Sequence, residues 1–105
     1  MSQPVTTSAD QRALPRDEVH FRSRATLADG RTLPLLIVNM SARGLMARCE
    51  AMPAPGEAVR VRLPVIGSVA GTVRWALGGR FGCELDQTIP LADYMLVLAT
   101  MVAQG

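Results

Sequence analysis

Residues 19–38 read VHFRSRATLADGRTLPLLIV, and their alternation decides the fold. Val19, Phe21, Ser23, Ala25 and Leu27 fall on one face of an extended segment, and His20, Arg22, Arg24 and Thr26 on the other. Successive side chains of a strand point to opposite faces, so this is the pattern of a half-buried strand. Asp29-Gly30 is a turn pair that favours positive φ, and it joins this strand to a returning one over residues 32–38. Pro34 has no N–H to give a ladder, which marks the first part of that return as an edge or a bulge. Outward from the hairpin the same period recurs. Residues 39–44 break it, and Leu45, Ala47 and Cys49 resume it opposite Met46 and Arg48. Val59, Val61 and Leu63 alternate with Arg60 and Arg62. Val69, Gly71, Val73 and Trp75 line one face of the next strand. After a Gly78-Gly79 turn, Phe81, Cys83 and Leu85 alternate with Arg80, Gly82 and Glu84. Six short strands with regular turn signals predict a mainly β fold over residues 19–86, an antiparallel barrel or sandwich, and a six-stranded antiparallel β-barrel is the expectation. Closure is attractive in so small a sheet because it removes open edges.

Two segments flank the barrel. Residues 1–10 (MSQPVTTSAD) are polar and without period, and read as a flexible tail. Residues 11–18 (QRALPRDE) form a charged lead-in broken by Pro15. At the other end the period changes to that of a helix over residues 90–103, with Pro90 suited to its first position. Leu91, Tyr94, Met95, Leu98, Met101 and Val102 share its expected inner face. Leu96, Val97 and Ala99 carry apolar character round to the side expected to face away from the barrel.

Composition narrows the class. The chain has 105 residues, 49% apolar and 19% charged, which is one folded domain with one core and a shallow site. All eleven basic residues are arginine, and the net charge is +2. Arginine presents a planar fork that matches phosphates and guanine edges. No apolar run is long enough to span a bilayer, and the first ten residues have neither a basic start nor an apolar stretch, so no membrane association and no secretory leader are expected. Cys49 and Cys83 fall on apolar faces and read as reduced, buried thiols of a cytoplasmic protein, not as a metal site or disulfide. One histidine, no paired carboxylates and no nucleophile elbow leave no catalytic set, so no enzyme is expected.

Two motifs remain. Residues 12–16 (RALPR) hold Arg12 and Arg16 four apart, just before the first strand. Residues 39–44 (NMSARG) hold Asn39, Ser41 and Gly44 directly after the second. One hairpin separates them, so both lie at the same end of those strands. In their order and spacing these motifs resemble the signature of the PilZ domain family, R-x-x-x-R followed by D/N-x-S-x-x-G. The strand around Val73-Arg74-Trp75, the glycine turn after it and FGCEL at 81–85 fit the family's pattern as well. The resemblance covers residues 11 to about 100 and implies a split barrel that receives the bacterial second messenger cyclic di-GMP. It implies that Arg12 and Arg16 contact phosphates and guanines, that Asn39 and Ser41 hydrogen-bond ligand edges, and that Gly44 lets the backbone approach. Arg43, at a variable position of the signature, is a further candidate for a phosphate. Gln11 stands where many members have another arginine, a position that bears on stoichiometry.

The physics of these residue types is compatible with those roles. Arginine binds phosphate through paired charge-assisted bonds and guanine through O6 and N7, and its plane stacks on bases. The expectation is a stand-alone, non-enzymatic receptor and adaptor in signal transduction, with no cofactor and no metal. A ligand-dependent surface would be read by a downstream protein partner, and the chain would be a monomer or dimer. Without the resemblance, the arginines read as solvated charges, and Asn39, Ser41 and Gly44 as turn chemistry. A protein-docking module of the same fold, using Leu96, Val97 and Ala99 with weak or no nucleotide binding, is the alternative. A barrel for single-stranded nucleic acid ranks last, because four aromatics and a net charge of +2 make a poor stacking groove.

Overall fold

The computed structural model describes residues 16–104. In chain order these form β1 (Asp17–Leu27), β2 (Thr32–Ser41), β3 (Gly44–Arg48), β4 (Ala58–Leu63), β5 (Gly67–Leu77), β6 (Arg80–Leu85) and a single helix, α1 (Leu91–Gln104). The strands make a closed antiparallel barrel in the order β1-β2-β3-β6-β5-β4, with β4 returning to β1. The expected tail over residues 1–10 lies outside the described residues. Among the described residues no helix is long and apolar enough to cross a membrane.

The alternation read from the sequence places the core. Leu33, Leu35, Ile37, Leu45, Ala47, Val59, Val61, Leu63, Val73 and Phe81 all point inward and are buried. Cys49 and Cys83 are free thiols in that core. Gly78 and Gly79 both take positive φ, 64° and 80°, which is what a two-residue hairpin turn between right-twisted strands demands.

The seam between β1 and β4 is short. They pair only at Ala25, Thr26 and Leu27, although β1 is 11 residues long. Further back, Ser23 Oγ donates to the Arg62 carbonyl, a side-chain bond in place of a ladder rung.

Four expectations change. β1 begins at Asp17, so Asp17 and Glu18 belong to the barrel and not to the lead-in. β2 continues through Ser41, and the break expected over residues 39–44 shrinks to the turn residues Ala42 and Arg43.

The third change is at Trp75, which lies on the outer face and not beside Val73. Val73 faces Cys83 while Trp75 faces Gly82, so Arg74 is one residue too many on β5. Such a bulge shifts the alternation by one, and Ala76 takes the inward place against the core.

The fourth concerns α1, whose inner face is Tyr94, Val97 and Met101, with Leu98 partly buried. Val97 is fully buried and not on the outward face, whereas Leu91, Met95 and Val102 are exposed. A helix that is apolar nearly all round does not choose its face by period. The choice is made by Tyr94, whose hydroxyl lies 2.5 Å from Asp17 Oδ2 and 3.1 Å from the Met40 carbonyl and ties the helix to β1 and β2.

Candidate functional site

A groove of about 430 Å³ runs across the outer face of β3 and β6 and is walled by β2 and β5. Arg16, Asn39, Ser41, Arg43 and Gly44 all line it. Five of the six candidate residues therefore converge on one surface. The sixth, Arg12, lies outside the described residues.

Asn39 reaches the groove because of a bulge. Ile37 pairs with Ala47 and Asn39 with Met46, so Val38 is the extra residue on β2. Had the alternation of Leu33, Leu35 and Ile37 continued, Asn39 would point into the core. Instead Met40 goes in, fully buried, and Asn39 is turned out. Its Oδ1 accepts a hydrogen bond from Arg16 Nη1 at 3.1 Å. This contact joins the two motifs across 23 positions of sequence.

Ser41 and Gly44 have a local reason to be what they are. They open and close the turn around Ala42 and Arg43, with serine first and glycine fourth, as a type I turn prefers. Ser41 Oγ accepts the Arg43 N–H at 3.2 Å, and that leaves its own hydroxyl proton to donate. Gly44 lies against β6 so closely that a Cβ would stand 2.8 Å from the Cys83 carbonyl oxygen. The turn is held from outside as well. The Arg43 carbonyl accepts from Leu85 N at 2.8 Å, and the Ala42 carbonyl from Ile89 N at 2.8 Å. The backbone that presents Asn39, Ser41 and Arg43 is therefore fixed before any ligand arrives.

The opposite wall, Arg74, Trp75 and Glu84, lies outside the two motifs. Trp75 is 40% exposed, and its indole lies over Gly82, where any Cβ would collide with it. Arg74 Nε and Glu84 Oε1 form an exposed ion pair at 2.7 Å beside it. The Arg74 bulge turns Trp75 outward just as the Val38 bulge turns Asn39 outward. No pattern within one strand reveals such a shift, because a bulge is a property of two paired strands.

On the floor of the groove Gly44 pairs with Glu84 and Met46 with Gly82, so two of these four positions carry no side chain. Three arginines against one glutamate give it two net positive charges. The Cys83 thiol beneath is pushed up to about 11, chiefly by burial and then by Asp86, so it is a protonated wall and not a nucleophile. Among the described residues no cluster of metal-ligating side chains occurs. The arrangement suits a flat, dianionic ligand held at its edges by arginine and amide groups and stacked on an indole. No family model matches the chain, and neither does any curated protein.

Proposed function

We propose that this chain is a non-enzymatic receptor for cyclic di-GMP, acting as a bacterial signalling adaptor of the PilZ type. The observation that carries the reading is the Arg16–Asn39 hydrogen bond, which brings both motifs into the groove that faces Trp75. The ligand is a dianion with two guanines, and the groove carries two net positive charges with one exposed indole. Arg16 and Arg43 pair with phosphates or with the O6 and N7 edge of guanine. Asn39 and the free proton of Ser41 bond to ligand edges, and Trp75 stacks on a base. Arg12 joins Arg16 as the second clamp of the R-x-x-x-R motif.

The output is a changed surface for a protein partner in the cytoplasm. Arg16 and Asn39 adjoin Asp17 and Met40, the two residues that hold Tyr94 of α1. A ligand that re-seats Arg16 therefore acts on the anchor of the helix.

Isothermal titration calorimetry with cyclic di-GMP, with GTP as control, tests the reading. Arg16→Ala should weaken binding by about 1.5–3 kcal/mol, the range for a bond to a charged group, while its circular dichroism spectrum stays unchanged. Absence of heat, or equal heat with the variant, would refute the assignment. The alternative is a docking module of the same barrel, favoured by the exposed apolar side of α1 at Leu91, Met95, Leu96 and Val102. It predicts weak nucleotide heat or none.

A further inference from the structure

A second groove, of about 610 Å³, opens where β1 leaves β4, and it shares no lining residue with the first. Arg22 and Arg24 of β1 and Arg62 of β4 line it, and no carboxylate does. None of the three takes part in an ion pair among the described residues. Three arginines with no carboxylate among the lining residues give the groove a positive charge that favours an anionic occupant.

The strand ladder also stops there. Before Ala25, β1 has no register partner on the side of β4 among the described residues, and the Ser23 Oγ bond to the Arg62 carbonyl is the side-chain contact that bridges the two strands there. A free strand edge presents N–H and C=O groups at the spacing of another strand. At the far rim Val65 takes φ 72°, and Ile66 N donates to the Pro64 carbonyl at 2.8 Å. This is the geometry of a classic γ-turn, which is rare and strained, and a β-branched residue is the least suited to it. The strain holds an apolar side chain at 60% exposure on the groove wall. An outlier of this kind persists only where the surroundings enforce it, and such outliers cluster at functional positions.

We infer that this groove docks an extended acidic segment of a partner protein, laid along the free edge of β1. An added strand alternates its side chains in step with β1. Those on the outer face lie beside Arg22 and Arg24 and are carboxylates. Those on the inner face lie beside Phe21 and meet Val65, and are apolar. A polynucleotide fits less well. The groove has one aromatic ring, Phe21, which is half-buried against the core, where a single-strand site uses several exposed rings. The inference does not depend on the nucleotide reading of the first groove.

The test uses the whole chain and a fluorescein-labelled peptide of alternating glutamate and valine, followed by anisotropy. A lysine–valine peptide and an oligothymidylate serve as comparison probes. The glutamate peptide should bind, and the Arg22→Glu, Arg62→Glu double variant should weaken it at least about tenfold, since like charges then face each other. Val65→Gly keeps the turn and relieves its strain, so it should weaken binding several-fold while the melting temperature holds or rises. Amide chemical-shift changes should centre on residues 21–24 and 62–65. Equal binding of both peptides, no binding to the unaltered protein, or shifts centred on the Arg16 groove would overturn the inference. So would oligothymidylate binding more tightly than the peptide and being lost in the same variant.

Discussion

At the scale of single residues, the site depends on where side chains are missing as much as on where they stand. Gly82 is the clearest case, because the Trp75 indole occupies the place of its Cβ. Gly82→Ala must therefore displace the ring. The indole is 40% exposed and has room to swing, so the barrel itself should lose little stability. Trp75 is the only tryptophan in the chain, which makes its fluorescence a direct report on the groove. The expected result is a shifted emission maximum without ligand, together with a weakening of the proposed cyclic di-GMP binding by about 1–3 kcal/mol, the worth of one base–aromatic stack. Unchanged emission with unchanged affinity would remove Trp75 from the site. Ser41 and Gly44 were legible in the sequence for two reasons that the structure does not separate by position. They make the turn, and they line the groove. Arg16 and Asn39 have no such local duty, so their meeting at 3.1 Å is the more telling observation.

At the scale of elements, the strands read well and the side-chain directions near the groove did not. β4 alternates without interruption, and Val59, Val61 and Leu63 are buried as its sequence says. β2 and β5 each hold one extra residue relative to a partner, at Val38 and Arg74. Each bulge turns the next residue from core to groove, and neither leaves a mark in its own strand's composition. The helix was legible as a helix, but its seat was not, because the seat is set by a contact 77 positions away in sequence. Tyr94 is 7% exposed, and its hydroxyl proton serves two acceptors, Asp17 and the Met40 carbonyl. Tyr94→Phe keeps the ring and removes that proton. It leaves acceptors without a donor, so it should cost about 1–3 kcal/mol in urea denaturation. A loss near zero would mean that the ring alone seats α1, and that the hydroxyl does not couple the helix to β1.

At the scale of the whole molecule, the absence of lysine makes alkaline stability unusually readable. Arginine keeps its charge through this range, so the surface of the protein stays as it is while pH rises past 9. The side chains left to titrate are Cys49, Cys83 and Tyr94, and folding raises all three, chiefly through burial. Cys83 moves from 9.0 to about 11, and Tyr94 rises from 10.0 with the Asp17 carboxylate adding to the effect of burial. Between those values the unfolded chain has released a proton that the folded chain still holds. The unfolded state then binds fewer protons, and stability must fall as pH rises. The contribution of Cys83 is fully present below about pH 9 and is lost as pH climbs through 11, a change of at most roughly 3 kcal/mol. Tyr94 adds its loss from 10 upward. Under reducing conditions the urea midpoint should therefore hold up to pH 9, decline from there, and decline more steeply past 10. Cys83→Ala should start from lower stability, since it leaves a small cavity, yet show a shallower slope between 9 and 10. Tyr94→Phe should flatten the curve above 10. A midpoint that stays level from 8 to 11, or slopes that ignore both variants, would mean that neither group is held protonated by the fold.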